Sequence, residues 1–359
     1  MEQEAFKMNN TSIPILDVSP ILYGKDDLDT SPERKAELVK LVKDVTFAME
    51  NIGFVQISGH NVSSELCEEI DHIQREYFSL SQNEKNEIKM SPQYPYGYEC
   101  NETLSISFDE NDENKGHKNL LDKSQGFGEI DLKETFQVCL SSKYSSIYEP
   151  RLPKRPLKMG KILAEYYNSM CTLSFRLMEL FALALELPRD FFHNMIDNHQ
   201  SSLRLLNYPP IKDLGSSDSL LGEYLKVRAS AHSDYGLFTI LKQDEIGGLQ
   251  IRRSKKQERL LVWEDVSPLH NHFVVNIGDL MMRWTNDRWK STVHRVVTKK
   301  QTLRMTRQSV AFFFNANSDA KIETIESCCL RGRNKYEGVI AGEYLLAKHS
   351  SAMNSNNVS

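Results

Sequence analysis

His232 and Asp234 stand two residues apart in the run Ala231-His232-Ser233-Asp234-Tyr235-Gly236-Leu237-Phe238-Thr239-Ile240-Leu241, whose second half is apolar enough for a buried strand. Residues i and i+2 of a strand share a face, so an imidazole and a carboxylate are expected to enter one interior together. An ionised carboxylate there costs several kcal/mol unless a cation or metal meets it. The triplet alone is a weak signal, since a chain with 10 histidines and 49 acidic residues produces such matches by chance.

A third candidate ligand lies in Trp289-Lys290-Ser291-Thr292-Val293-His294-Arg295-Val296-Val297, where alternation puts Thr292, His294 and Val296 on one face. Two imidazoles and a carboxylate with further positions open suit non-haem Fe(II), and catalytic zinc is the competing reading. In Arg307-Gln308-Ser309-Val310-Ala311-Phe312-Phe313-Phe314 the same alternation aims Arg307 and Ser309 together. A guanidinium fork and a hydroxyl sharing an interior want an anion, and beside a metal an organic acid is favoured over an internal ion pair. Tyr208 could add a donor to that acid, or be a core tyrosine before a turn; Arg204 divides equally between a pocket residue and a surface charge.

These residues need a scaffold. Seven β-rich runs follow at regular spacing from residue 202 onward: LRLLNY, LFTIL, GLQIRR, LLVWEDV, HFVVNIGDL, STVHRVV and RQSVAFFFN. Short strands so spaced predict a sandwich or barrel rather than βαβ units. Upstream, IPILDVSP reads as a strand closed by Pro20, and Ser31-Pro32 as the cap and first residue of a helix carrying Leu38, Leu41, Val42, Val45 and Met49 on one face. GFVQISGH at 53–60 reads as a strand, and Leu66, Ile70, Ile73 and Tyr77 mark a second amphipathic helix. The longest helical pattern spans 157–187 and stops at Pro188, and residues 109–125 are polar and aperiodic, an exposed loop. GEYLLAKH closes the chain as a short helix, with a fraying tail after it.

Composition bounds the function. The 359 residues carry a net charge of −5 and are 40% hydrophobic, which predicts a folded core and no general attraction to nucleic acid or anionic membrane. Six cysteines without a C-x-x-C pair read as reduced thiols. No leader-like or membrane-spanning apolar run is present, so a cytoplasmic monomer acting on a small molecule is expected, with the sequons at Asn10, Asn61 and Asn101 chance matches.

Taken in order, the motifs resemble the 2-oxoglutarate- and Fe(II)-dependent dioxygenases, in the branch similar to isopenicillin N synthase and the plant flavonoid and gibberellin oxygenases. The likeness runs through IPILDVSP, NIGFVQISGHNV, RLLNYPP, AHSDYGLFTIL, GGLQI, NIGDLMMRWTNDRWKSTVHRVV, RQSVAFFFNANSDA and KYEGVIAGEYLLAKH. Tyr96-Gly97-Tyr98 stands where relatives often have Arg-Gly-Tyr. The resemblance implies a mostly β fold with α, a double-stranded β-helix (jelly roll) wrapped by helices. It implies a dioxygenase N-terminal region at 12–140, a helical segment at 141–199, the jelly-roll core at 200–318, a closing strand and helix at 319–350 and a disordered tail at 351–359. It implies His232, Asp234 and His294 as Fe(II) ligands, and Arg307, Ser309 and Tyr208 as the 2-oxoglutarate site. With O2 as the second co-substrate, a C–H bond of a small metabolite, such as an amino-acid-derived acid, would be hydroxylated, desaturated or cyclised with release of succinate and CO2. Candidate substrate residues are Tyr96, Tyr98, Phe127, Phe136, Arg204, Leu249 and Phe314. A 2-oxoglutarate-independent oxidase of the same fold, and more remotely a non-catalytic binding protein, are the alternatives.

Overall fold

In a computed structural model of the chain, residues 13–22, 31–91, 94–100, 131–141, 149–211, 224–255, 260–329 and 333–354 are described. The N-terminal elements are β1 (Ile15–Asp17), α1 (Ser19–Leu22), α2 (Pro32–Asn51), β2 (Phe54–Ser58), α3 (Ser64–Phe78), α4 (Gln82–Asn86), β3 (Gly97–Cys100) and β4 (Glu134–Val138). Then come α5 (Met159–Ala184), α6 (His193–Ile196), β5 (Ser202–Tyr208), β6 (Tyr224–His232), β7 (Phe238–Gln243), β8 (Leu249–Lys255), β9 (Leu260–Asp265) and β10 (Phe273–Ile277). The chain closes with α7 (Asp279–Trp284), β11 (His294–Lys299), β12 (Arg307–Phe314), β13 (Lys321–Ile322), β14 (Val339–Ile340) and α8 (Ala341–Asn354).

From β5 to β12 the chain alternates between two sheets, apart from the β8–β9 hairpin, which stays in one. The larger has the order β1-β2-β10-β7-β12-β5-β4-β3 and the smaller β6-β11-β8-β9. The central four strands of the one facing the four of the other make a double-stranded β-helix. The N-terminal region is not a separate layer: β2 pairs with β10 and β4 with β5, so both ends of the large sheet are extended from outside the 200–318 segment.

The helices α2 and α3 form because their first turns are capped and one face is apolar. Ser31 Oγ accepts from Arg34 N at 3.3 Å with Pro32 opening α2, and Ser63 Oγ accepts from Leu66 N at 3.2 Å at the start of α3. Leu41, Val45 and Met49 of α2 and Ile70, Ile73 and Tyr77 of α3 are buried beside α5. Tyr167 and Phe181 of α5 meet Phe312 and Phe238 of the large sheet edge-on, at centroid separations of 5.2 and 5.4 Å. Each such ring removed from water contributes about 1.5–3 kcal/mol. The large sheet is thus covered by helices on one face and by the small sheet on the other, where Leu206, Tyr208, Leu249, Val274, Val296 and Ala311 form a second cluster.

Three expectations need correction. His232 is the last residue of β6, and Asp234 follows in the turn before β7; the two do not share a strand. The backbone turn, not period-two alternation, brings them together. The helix at the C-terminus runs to Asn354, so residues 351–354 are not a disordered tail. Pro20 lies inside the one-turn α1 rather than ending a strand, its lack of an N–H costing nothing in a first turn. The polar loop at 109–125 and Phe127 lie outside the described residues.

Candidate metal centre and anion pocket

β6 and β11 pair antiparallel with His294 opposite His232, so the two imidazoles leave neighbouring strands at the same level. Their ring centroids are 4.4 Å apart. Asp234 Oδ1 comes within 3.9 Å of His232 Nε2 and 3.7 Å of His294 Nε2, and one ligand atom from each of the three residues lies within 4.8 Å of the others. Three such atoms are close enough to share one ion.

The surroundings orient each of them. His232 Nδ1 is 2.7 Å from Ser230 O and His294 Nδ1 is 3.1 Å from Thr292 O, so each Nδ1 carries the proton and each Nε2 turns its lone pair inward. The far oxygen of Asp234, Oδ2, accepts from Thr239 Oγ1 at 2.5 Å and from Asn276 Nδ2 at 2.7 Å, which leaves Oδ1 for an ion. Phe54 meets the His294 ring edge-on at 5.4 Å. Burial, with the His294 ring beside it, pushes His232 down to about 4, so its imidazole is neutral at neutral pH. Burial alone would raise Asp234; the two imidazoles and the bonds from Asn276 and Thr239 outweigh it and hold the carboxyl below its usual value.

The turn carrying Asp234 is fixed by close backbone approach. Asp279 N donates to Asp234 O at 2.7 Å and Leu280 N to Tyr235 O at 3.2 Å. A Cβ on Gly278 would come 2.3 Å from the backbone oxygen of Gly236, so that position requires glycine, while one on Gly236 would displace the Asn315 side chain, whose Oδ1 would be 2.1 Å away. Over the same turn lies α8, with the His349 ring 5.4 Å from that of Tyr235 and Lys348 Nζ 3.2 Å from Asp279 Oδ2.

Further along the interior, Arg307 lies opposite Tyr208 and Ser309 opposite Leu206, all on the face turned to the small sheet. Arg307 is 5% exposed. Its Nε donates to Gly247 O at 2.7 Å and its Nη1 to Ser309 Oγ at 3.3 Å, and its guanidinium carbon is 4.9 Å from the Tyr208 ring centroid. Its Nη2 is buried and has no hydrogen-bond partner among the described residues. A buried donor without an acceptor costs about 1–3 kcal/mol, more when charged, and a carboxylate placed there would remove that cost. The donor set therefore fits both groups: two imidazoles and a carboxylate for Fe(II), and an arginine with an open N–H for the distal carboxylate of 2-oxoglutarate.

The substrate candidates divide by face. Arg204 and Leu249 lie on the interior side: Arg204 Nε donates to Gln137 Oε1 at 2.6 Å and its guanidinium is 5.7 Å from the Phe313 ring, while Leu249 belongs to the inter-sheet cluster. Phe136, Tyr98 and Phe314 are on the other face, packed in the helix-side core, with the Tyr98 hydroxyl donating to Glu134 at 2.7 Å. The structure does not bring these three to the interior. Tyr96 meets Tyr94 edge-on ahead of β3, at the far edge of the large sheet.

Four interior residues had no signal in the sequence reading: Thr239, Asn276, Lys133 and Arg228. Thr239 alone was findable, being in an apolar strand on which a lone hydroxyl must meet a partner. Replacing both orienting donors, Thr239→Val with Asn276→Leu, is expected to weaken metal binding about 10–100-fold while the fold persists. Titration with Co(II) followed by absorption checks this; unchanged affinity would mean that these bonds do not set the carboxylate.

The comparisons agree with this geometry. Residues 199–316 match the family model of the 2OG-Fe(II) oxygenase superfamily, and residues 13–142 match that of the non-haem dioxygenase in morphine synthesis N-terminal region. The chain is 31% identical over 348 residues to a homoarginine-6-hydroxylase of Oryza sativa subsp. japonica, covering 94% of this chain and 96% of that protein. It is 32% identical over 331 residues to a 2-oxoglutarate-Fe(II) type oxidoreductase of Aspergillus fumigatus, covering 91% and 87%. Among solved structures, that of a full-length Neurospora crassa protein in complex with alpha-KG and thymine is similar with a TM-score of 0.77 and 25% identity, over 96% of this chain and 98% of that one.

Proposed function

This chain belongs to the 2OG-Fe(II) oxygenase superfamily, and from that premise we propose that it oxidises a C–H bond of a small amino-acid-derived acid, with His232, Asp234 and His294 holding Fe(II) and with Arg307, Ser309 and Tyr208 holding 2-oxoglutarate. When bound, the metal with 2-oxoglutarate and O2 supplies the oxidising power, the co-substrate leaving as succinate and CO2. The protein's work is placement. Arg307 Nη2 and Ser309 Oγ would anchor the far carboxylate from the large sheet, while His232 and His294 stand on the small sheet that packs against it. Apolar walls from Leu206, Leu249, Val274 and Ala311 exclude water around it. The observation that carries this reading is the buried, partnerless Nη2 of Arg307 in the same interior as the His-Asp-His cluster.

Arg204 supports the substrate class. It sits across from Ala311 on the interior face, its guanidinium over Phe313, and Phe313 pairs with the Thr239 that binds Asp234. A cation on the same interior face, linked to Asp234 through Phe313 and Thr239, suits a substrate carboxylate. The rice relative's substrate by name, homoarginine, carries one. The test is succinate release across a panel of amino acids and their N-acyl, amide and ester derivatives, compared between wild type and Arg204→Ala. Loss of a charge-assisted bond worth about 1.5–3 kcal/mol should raise the substrate KM roughly 10–150-fold and leave the 2-oxoglutarate KM alone. An unchanged substrate KM would remove the carboxylate-binding role, and release only with neutral compounds would remove the acid class.

A further inference from the structure

Arg228 has no place in the site as derived so far, yet it is buried in the same cleft. It is 3% exposed and lies four residues before His232 on β6. The cleft is lined by Tyr208, Arg228, Gly247, Val297, Thr298 and Arg307, among others. The Arg228 and Arg307 guanidinium carbons lie 5.8 and 4.9 Å from the centroid of one ring, that of Tyr208. Two buried guanidiniums thus share one aromatic neighbour.

Among the described residues neither is hydrogen-bonded to a carboxylate. The hydrogen bonds of Arg228 go to neutral acceptors: Nη2 to Pro209 O at 2.7 Å and Leu132 O at 2.9 Å, Nε to Leu132 O at 3.2 Å, and Nη1 to Thr298 Oγ1 at 3.2 Å. Neither arginine makes an ion pair among the described residues. The nearby Asp131 is spent on Lys133 Nζ at 2.9 Å and on Ser230. Asp244, which feels the Arg307 charge, accepts from the backbone N–H groups of Gln308 and Ile246. Burial, and less strongly the Arg307 charge, pushes Arg228 down to about 10, which leaves it fully charged at neutral pH. Two like charges desolvated together are costly, and the cost falls when an anion enters between the walls that hold them.

We propose that Arg228 is a specificity-determining residue of the co-substrate pocket: a second fixed positive charge that makes the pocket select a keto acid bearing a distal carboxylate. Arg307 supplies the directed hydrogen bond, and Arg228 supplies charge from a position locked by Leu132, Pro209 and Thr298. The inference rests on the assignment of 2-oxoglutarate to the Arg307 pocket. In a cleft of low dielectric such a charge acts without contact, and its effect is confined to ligands that carry the complementary charge.

The experiment is calorimetric titration of the Mn(II)-loaded full chain with 2-oxoglutarate and, by competition, with 2-oxobutanoate, which lacks the distal carboxylate. The ratio of the two dissociation constants does not depend on how much of a sample is folded. Arg228→Gln is expected to shrink the wild-type preference for 2-oxoglutarate tenfold or more by raising its dissociation constant alone. Arg228→Lys, which keeps the charge and gives up the bonds to Leu132 and Pro209, is expected to hold the preference within about threefold of wild type. Equal weakening of both ligands in the glutamine variant, or a lysine variant as unselective as the glutamine one, overturns the proposal in favour of a purely structural arginine. A wild-type chain that shows no preference between the ligands instead overturns the pocket assignment beneath it.

Discussion

His232→Ala is expected to abolish both Fe(II) binding and turnover. The variant removes one of only two imidazoles in the cluster and leaves Asp234 Oδ1 facing His294 alone, at 3.7 Å. A carboxylate and a single imidazole, with two sites given over to a chelating keto acid, cannot compete with water for a labile Fe(II) ion. The fold should persist, because the rest of the shell remains: Thr239 and Asn276 still satisfy Asp234 Oδ2, and Asp279 N still holds the turn. Metal analysis after anaerobic loading, with succinate release measured on the same sample, checks both halves. Wild-type iron content with wild-type turnover in this variant would overturn the ligand assignment.

Arg307→Ala is expected to have the next largest effect, weakening 2-oxoglutarate by about 2–5 kcal/mol, since truncating one partner of a buried charge pair strands the other. That is a rise in dissociation constant of about thirtyfold to several thousandfold. Iron binding should be untouched, because Arg307 reaches Gly247, Ser309 and Tyr208 and none of the three metal-binding candidates. The separation is readable in one experiment. Adding 2-oxoglutarate to the anaerobic Fe(II) protein produces a visible charge-transfer band, and the concentration that half-develops it is the apparent affinity. A variant that binds the co-substrate as tightly as wild type would mean that its far carboxylate is anchored elsewhere.

Much of the site was legible before the fold because its chemistry tolerates few residue types. His232, Asp234, His294, Arg307 and Ser309 are polar residues set into apolar runs, and each position is costly unless a ligand meets it. The strand β6 was not legible. Tyr224–His232 reads YLKVRASAH, with Lys226, Arg228, Ser230 and His232 giving no apolar repeat, because it carries a buried arginine and a candidate metal ligand where aliphatic residues would mark a strand. Missing it placed His232 at the start of the wrong strand.

The aromatic candidates failed for a different reason. Every residue of β10 is buried, and so is every residue of β12 except the half-buried Gln308 and Phe313, since the large sheet has helices on one side and the small sheet on the other. A strand buried on both faces loses the polar–apolar alternation that tells the faces apart. Phe136, Tyr98 and Phe314 could therefore not be told from Phe313 until the clusters on the two sides were known.

By itself, then, the amino-acid sequence determined which atoms are available for the chemistry, since composition alone limits what can bind a metal or a carboxylate; its seven regularly spaced β-rich runs pointed to a sandwich or barrel, and the order of its motifs to the jelly roll. Only the tertiary structure decided which of those atoms meet. The pairing of His294 with His232, the turn that returns Asp234 to them, and the two arginines on one tyrosine all depend on strand order and register. These are long-range choices fixed by closing two sheets on one another, and no local pattern encodes them.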